Sequence, residues 1–136
     1  MDLLSAYRIL LVGIFIAAAA TSVILLFVRA PYGRYTRGGW GPKVPARFAW
    51  IIMESPAVFL ILILYFTGTK ETAPLTLFIL LWQAHYVYRT FLYPLLMRGW
   101  RKDFPVLLIL MAMLFNCANG YVNGYHLFFS ERAYPV

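Results

Sequence analysis

Four long apolar runs, separated by short polar segments, dominate the pattern of hydrophobic and polar positions. A helix needs about 20 mostly apolar residues to cross a bilayer, and each run has about that length. The runs are too long for the strands of a membrane barrel and lack their alternation of polar and apolar residues. The pattern therefore predicts an all-α integral membrane protein. Its single domain, residues 1–136, is expected to contain four transmembrane helices over residues 9–28, 48–66, 73–96 and 104–129.

The composition supports a membrane protein. Hydrophobic residues make up 62% of the chain and charged residues 12%, whereas soluble domains average about 45–50% and about 25%. The mean hydropathy is +0.73. These values exclude a disordered chain and an ordinary nucleic-acid-binding domain, and they argue against a soluble enzyme. The single cysteine, Cys117, excludes an internal disulfide and is interpreted as a packing residue.

Which membrane contains the protein depends on the kind of organism from which the chain comes. We expect a multi-pass protein of the endoplasmic reticulum membrane in a eukaryote, or of the inner membrane in a bacterium, with membrane lipid as a partner. The first apolar run can also be interpreted as a signal peptide, because Ala17–Ala20 offers a small-residue cleavage site. The run continues for eight residues beyond these alanines, which favours a spanning helix.

Basic residues are divided unevenly between the two sides of the predicted bundle. The loops after the first and third helices share one side and hold eight basic residues: Arg29, Arg34, Arg37, Lys43, Arg47, Arg98, Arg101 and Lys102. The opposite side holds three: Arg8, Lys70 and Arg132. Loops rich in lysine and arginine stay in the cytoplasm. The sequence therefore predicts that these two loops are cytoplasmic and that both termini lie outside.

The glycine-rich first loop does not contain a nucleotide-binding motif. Gly33 and Gly38 have the glycine spacing of a P-loop, but Gly39 stands where that motif needs lysine. Gly39 and Gly41 begin a dinucleotide fingerprint, but Val44 replaces its third glycine. No spacing of histidines or cysteines supports a metal site.

Glu54 is the acidic residue within the predicted spans, about 9 Å from the cytoplasmic end of the second helix at about 1.5 Å per residue. A charge at the centre of a spanning helix costs about 2.5–3.5 kcal/mol, so such residues mark functional sites by default. Pro56 follows in the same helix and leaves the Ile52 carbonyl without its usual hydrogen-bond partner. A buried carboxyl group beside a helix irregularity predicts a cavity between helices rather than a sealed bundle.

A second polar group, His85, Tyr86 and Arg89, lies in the third predicted helix. Tyr86 precedes the end of that helix near Tyr93 by about 10 Å, so it lies at the depth of Glu54. Arg89 is three residues after Tyr86 and four after His85, so the three side chains share one face. The sequence leaves open whether Arg89 belongs to the site or extends its charge to the membrane surface.

The fourth predicted helix carries a stripe of small and polar residues. Gly120 and Gly124 form a G-x-x-x-G pattern, which allows another helix to approach closely. Asn116, Asn119 and Asn123 lie on the same stripe. They are interpreted either as hydrogen-bonding groups between helices or as the lining of a polar cavity.

Four short motifs follow one another between Tyr32 and Tyr125. They are Tyr32-Gly-Arg-Tyr-Thr36; Val44-Pro-Ala-Arg-Phe-Ala-Trp50 with Glu54-Ser-Pro56; His85-Tyr-Val-Tyr-Arg89 with Tyr93-Pro94 and Met97-Arg-Gly99; and Phe115-Asn-Cys-Ala-Asn-Gly120. In this order and at this spacing, they resemble the signatures of the steroid 5α-reductase family. The resemblance implies an NADPH-dependent reductase of 3-oxo-Δ4-steroids or related lipid enones, with a seven-span fold.

The resemblance also implies roles for single residues. Glu54 and Tyr86 are expected to be catalytic and to hold the carbonyl oxygen of the substrate. The expected substrate-binding residues are Trp50, Met53 and Phe115, and the expected cofactor-binding residues are Arg98 and Asn119. Family members are longer, and their second half makes most contacts with the cofactor. This chain is therefore expected to supply the carbonyl-binding half and to need a C-terminal, cofactor-binding half as a partner.

The chemistry of enone reduction suits these residue types. Hydride adds to the β-carbon and negative charge develops on the carbonyl oxygen, where one hydrogen-bond donor typically contributes a factor of about 10²–10³. The phenol of Tyr86 can donate. Glu54 donates only when protonated, a form that burial favours, and a neutral carboxylic acid has this role in ketosteroid chemistry.

Two other functions compete with this one. A small four-span transporter would use Glu54 as a proton-coupled cation site and would explain the length of the chain, but an arginine near that site would repel the cation. An inert assembly subunit would leave Glu54 without a role.

Overall fold

A computed structural model of the chain describes residues 3–69, 72–99 and 101–130, and within them the protein is mostly helical. The helices are α1 (Leu3–Phe27), α2 (Ala46–Thr67), α3 (Ala73–Val87), α4 (Tyr93–Leu96) and α5 (Val106–Phe128). A 3₁₀ turn occupies Gly33–Tyr35. Helices α1, α2 and α5 are long and apolar enough to cross a membrane. The structure thus shows three candidate spans, and the four-span count is not confirmed.

The third predicted helix is built from three consecutive helical pieces. A π-helical segment, Tyr88–Leu92, joins α3 directly to α4. Within it the Tyr93 amide donates to the Tyr88 carbonyl, five residues back. The proline nitrogen of Pro94 has no hydrogen to donate, and this is a local cause of irregular helical bonding. Residues 73–96 are therefore helical, but neither α-helical piece is long enough to span by itself.

The other predicted boundaries differ from the structure by a few residues. Helix α1 begins at Leu3 rather than Ile9, so it also includes the residues before the apolar run, among them Ser5 and Arg8. Helix α2 covers Ala46–Thr67 instead of 48–66. Helix α5 begins at Val106 instead of 104, because Phe104 and Pro105 belong to a strand. Lys70 and Arg132, which entered the orientation argument, lie outside the described residues.

The first and third loops meet in a short antiparallel ladder that the sequence pattern did not predict. Strand β1 (Lys43–Pro45) pairs with β2 (Asp103–Pro105), and Val44 lies opposite Phe104. The Ala46 amide donates to the Lys102 carbonyl at 2.9 Å, which extends the pairing into α2. Two loops joined in this way lie at the same end of the bundle, as the alternating spans required.

The G-x-x-x-G pattern of α5 lies against α2, as predicted. A Cβ atom added to Gly120 would be 3.4 Å from Leu60, and one added to Gly124 would be 2.5 Å from Leu64. Helix α1 has no buried residue, and the Tyr121 hydroxyl of α5 donates to the Leu3 carbonyl at 3.0 Å. The packed core is therefore formed mainly by α2, α3 and α5.

Candidate active site

A cavity of about 510 Å³ opens between α2, the α3–π segment and α5. It combines one acidic, one basic and several aromatic side chains with apolar walls. The lining residues are Tyr32, Trp50, Met53, Glu54, His85, Tyr86, Arg89, Phe104, Leu108, Ala112, Phe115 and Asn116. The cavity predicted beside Glu54 is therefore present, and it includes the polar group of the third helix.

Glu54 forms an ion pair across two helices. The residue is only 5% exposed, and its Oε1 accepts a hydrogen bond from Arg89 Nε at 2.7 Å. A buried charge is tolerated when a partner of opposite sign lies within hydrogen-bond distance. The question that the sequence left open for Arg89 is thus answered: its guanidinium group belongs to the site and faces Glu54.

Aromatic side chains hold Arg89 in this orientation. Its guanidinium carbon lies 4.8 Å from the centre of the Trp50 ring, a cation–π contact. Tyr93 packs edge-on against the same indole, with ring centres 5.1 Å apart. Arg89 lies in the π-helical segment, and such segments are common at functional sites because they alter which way side chains project.

The proline of α2 has the predicted local effect. The carbonyl of Ile52, which lacks its usual amide partner because of Pro56, accepts a hydrogen bond from the Ser55 hydroxyl at 2.9 Å. Helix α2 continues through the proline without ending. The Trp82 indole N–H and the Gln83 side-chain amide donate to later carbonyls of the same helix, those of Ala57 and Val58.

Asn116 reaches Glu54 from the opposite helix. Its side-chain nitrogen donates to the Met53 carbonyl at 2.7 Å and lies 3.5 Å from Glu54 Oε2. Asn123 instead donates to the backbone and side-chain oxygens of Asn119 within α5. Of the three asparagines on the predicted stripe, only Asn116 lines the cavity.

The Tyr86 side chain lies on the cavity wall opposite α2. Its ring is half-buried and contacts Trp82 and His85, with ring centres 4.7 Å and 5.0 Å apart. Its hydroxyl makes no hydrogen bond with the part of the chain that the structure describes. This phenol is therefore free to donate to a molecule in the cavity.

The residues expected at the substrate and the cofactor fall into two groups. Trp50, Met53 and Phe115 all line the cavity. Arg98 is exposed after the end of α4, and Asn119 is hydrogen-bonded to Asn123. Neither of these two residues lines the cavity.

Several lining residues were missed by sequence reasoning. Leu108 and Ala112 look like ordinary lipid-facing residues in a sequence, and Phe104 belongs to the unpredicted strand β2. Tyr32 carried a signal, because it opens the first of the four motifs. The Glu54–Arg89 pair was missed because sequence spacing relates residues within one helix but not the rotation of two helices about each other.

The fold and the cavity define a multi-pass helical membrane protein with a polar site enclosed between its helices. No family model matches the chain. It is 38% identical over 124 residues to steroid 5-alpha-reductase DET2 of Arabidopsis thaliana, an alignment that covers 87% of this chain and 47% of that protein. It is also 34% identical over 129 residues to 3-oxo-5-alpha-steroid 4-dehydrogenase 2 of Rattus norvegicus, an alignment that covers 88% of this chain and 48% of that protein.

The chain is therefore homologous to the steroid 5α-reductases, and the resemblance of its motifs to that family is confirmed. A second plant relative, steroid 5-alpha-reductase DET2 of Gossypium hirsutum, is 40% identical over 118 residues, covering 84% of this chain and 46% of that protein. The chain spans about half the length of the curated relatives that it matches.

Proposed function

We propose that the chain forms the carbonyl-binding half of an NADPH-dependent reductase that saturates the enone double bond of 3-oxo-Δ4-steroids or related lipid enones. One observation carries the proposal: Glu54 and Tyr86, from different helices, line one cavity that also has apolar and aromatic walls. The names of the relatives support the same reaction class.

Tyr86 is the principal donor to the carbonyl oxygen of the enone. Addition of hydride to the β-carbon moves an electron pair onto this oxygen, and a proton then reaches the α-carbon. A donor already in position when the charge develops lowers the barrier, because it needs no reorganisation. The Tyr86 hydroxyl suits this role because no described protein group occupies it.

Glu54 is the second donor, through Oε2. Its other oxygen, Oε1, accepts the strong hydrogen bond from Arg89 at 2.7 Å. A carboxyl group can donate only with a proton on one oxygen. Glu54, which the structure pairs with Arg89, must therefore take up a proton before it donates, and Oε2 can receive it because this oxygen has only the longer 3.5 Å contact with Asn116. Arg89 orients the carboxyl group and leaves this atom for the substrate.

Apolar and aromatic side chains hold the steroid skeleton. Trp50, Met53 and Phe115 surround the polar end of the cavity, and sites for small ligands commonly measure about 300–1,000 Å³. The cavity, at about 510 Å³, lies in that range. A flat hydrocarbon ligand can enter such a site from lipid while its carbonyl group reaches Tyr86.

The hydride is supplied by NADPH, and the partner half supplies most of its binding site. Arg98 and Asn119 remain candidates for contacts at the edge of the nucleotide, although neither lines the cavity. Below, "complete enzyme" means this chain together with the C-terminal, cofactor-binding half. In it, residues 73–96 form a further span, both basic loops face the cytoplasm, and the enzyme resides in the endoplasmic reticulum membrane of a eukaryote or the inner membrane of a bacterium.

The cation-transport alternative finds no support. Arg89 already provides the positive partner of Glu54 at 2.7 Å, and a second cation would be repelled from that carboxyl group. The relatives named above are reductases.

The test is steroid-dependent oxidation of NADPH by the complete enzyme. Tyr86→Phe removes the phenol donor and keeps the ring, so kcat should fall by about 10²-fold or more. Tyr88→Phe is the matched control, because Tyr88 is exposed and does not line the cavity, and it should keep wild-type activity. A wild-type enzyme that oxidises no NADPH with 3-oxo-Δ4-steroids or with other lipid enones would refute the proposed function.

A further inference from the structure

Asn116 makes two contacts with α2, and both lie at the reactive carboxyl group. Its single side-chain nitrogen carries two hydrogens. One hydrogen is directed to the carbonyl of Met53, the residue immediately before Glu54, with a nitrogen–oxygen distance of 2.7 Å. The same nitrogen lies 3.5 Å from Glu54 Oε2. Asn116 is itself only 7% exposed, so water does not compete effectively for these hydrogens.

Arg89 holds the same carboxyl group from the other side. Its Nε approaches Oε1 at 2.7 Å from the π-helical segment, whereas Asn116 approaches Oε2 from α5. The two oxygens of Glu54 are therefore contacted by two different helices. A side chain held at both ends keeps one rotamer, and small displacements of a reacting group cost large factors in rate.

We infer that Asn116 is a positioning residue of the reductase: it fixes the backbone at Met53 and the direction of Glu54 Oε2, and thereby the donor presented to the substrate carbonyl. This inference rests on the proposed function. Asn116 does not itself touch the reacting atoms. It acts through Glu54, so its effect should depend on the presence of the Glu54 carboxyl group.

The first test is a double-mutant cycle in the complete enzyme. Asn116→Ala should lower kcat by about tenfold to 10²-fold and leave KM near the wild-type value, because the donor is misplaced while the apolar walls remain. Combined with Glu54→Ala, the same substitution should cost almost nothing further in kcat. Gln83→Ala is the control: it likewise removes a side-chain amide that donates to an α2 carbonyl, that of Val58, but Gln83 does not line the cavity, so this variant should keep wild-type activity.

An equal loss of kcat in both backgrounds would overturn the inference, because a merely structural asparagine acts independently of Glu54. Wild-type kcat in Asn116→Ala would overturn it as well. If that variant fails to fold, Asn116→Asp replaces it in the cycle: the shape is kept, but an oxygen would then face the Met53 carbonyl and Glu54. The thermal stability of each variant is measured beside its kinetics.

A second measurement needs no turnover and so separates this inference from the proposed function. A hydrophobic carbodiimide is added to the membrane-embedded chain, and labelling of Glu54 is followed by mass spectrometry of its peptide. Release of Oε2 in Asn116→Ala should raise the labelling rate several-fold, whereas the Gln83→Ala control should react at the wild-type rate. Equal rates in all three proteins would refute the positioning role even if the enzyme reduces steroids, whereas faster labelling with no steroid reduction would leave it standing and refute only the proposed function.

Discussion

Glu54 is a carboxyl group buried between three helices, with one oxygen facing Arg89 and the other near Asn116. Such a group is costly in a membrane unless its partners satisfy it. The partners come from parts of the chain about thirty-five and sixty residues away in sequence, so only the folded bundle brings them together. In the proposed mechanism, Tyr86 Oη and Glu54 Oε2 donate to the carbonyl group of the substrate.

Replacement of Glu54 distinguishes a donor from a charged site. In the complete enzyme, Glu54→Ala should lower kcat by about 10²–10³-fold. Glu54→Gln should keep clearly more activity, because the amide oxygen can accept from Arg89 while the amide nitrogen donates from the position of Oε2. Steady-state kinetics of the two variants provides the comparison.

The opposite pattern would change the assignment of Glu54. If the glutamine and alanine variants are equally inactive while Tyr86→Phe is fully active, Glu54 exchanges a proton or binds a cation, and the donor pair is wrong.

The sequence allowed the residues around this cavity to be predicted better than the pairing of their side chains. The depth of Glu54 and Tyr86 follows from counting residues along each helix, and the cavity followed from a buried acid beside Pro56. The partner of Arg89 could not be predicted from the sequence, because a guanidinium group can pair with Glu54 or extend to the membrane surface. The asparagine stripe likewise predicted which residues share a face, but only the rotation of α5 against α2 selects Asn116.

Helices α2 and α5 form the frame of the site, and the glycines of α5 determine how closely the two helices pack. An added Cβ at Gly124 would meet the Leu64 Cβ at 3.0 Å, whereas one at Gly120 would meet the nearest Leu60 atom at 3.4 Å. The first contact is tighter than most real Cβ contacts, so Leu64 has to shift, and the second is close to ordinary packing. The two positions of one G-x-x-x-G pattern are therefore not equivalent.

Alanine at these glycines gives a direct comparison. Gly124→Ala should destabilise the bundle by about 1–3 kcal/mol, because it forces α2 and α5 apart. Gly120→Ala should be nearly neutral, because alanine favours a helix over glycine by about 0.5–1 kcal/mol and needs little extra space there. Thermal unfolding in detergent measures both. A Gly120 variant that is less stable than the Gly124 variant would contradict this packing.

The helices were predicted more accurately than the segments that connect them. Long apolar runs predict the bounds of α2 and α5 closely, and those of α1 except for its earlier start at Leu3, because lipid requires internally bonded backbone. The ladder of β1 and β2 was missed, since three-residue strands containing proline carry no alternating pattern. The π-helical segment was also missed, although Pro94 marked the irregular end of that helix.

The protein as a whole is a bundle with a basic end. The ladder keeps the first and third loops together, and these loops carry eight of the twelve lysines and arginines. This distribution predicts the orientation of every span, because basic loops are retained in the cytoplasm.

Cysteine labelling tests that orientation in a Cys117→Ala background. Gly38→Cys should react with a membrane-impermeant reagent only from the cytoplasmic side; it suits the test better than Gly39, whose φ of +84° disfavours a side chain. Thr72→Cys, at the other end of the bundle, should react only from outside. The reverse pattern would invert the proposed topology, and labelling of both from one side would exclude a crossing by α2.

Under the proposed function, catalysis needs the cofactor-binding half as well as this chain, which spans about half the length of its curated relatives. The purified 136-residue chain should therefore bind lipid enones in its cavity but should not oxidise NADPH in their presence. Absorbance at the NADPH band, followed with and without a 3-oxo-Δ4-steroid, measures this. Steroid-dependent oxidation by the chain alone would show that its own residues suffice to bind the cofactor.

Transfer of deuterium tests most directly whether this cavity serves enone reduction. The complete enzyme is supplied with NADPH deuterated at the transferred position and a 3-oxo-Δ4-steroid, and the product is analysed by mass spectrometry and NMR. We predict one deuterium at the β-carbon of the former enone. The deuterated product should form at least about 10²-fold more slowly in Tyr86→Phe and at the wild-type rate in Tyr88→Phe. A product without deuterium at that carbon, or an undiminished rate in Tyr86→Phe, would contradict the assignment of this cavity as the carbonyl site.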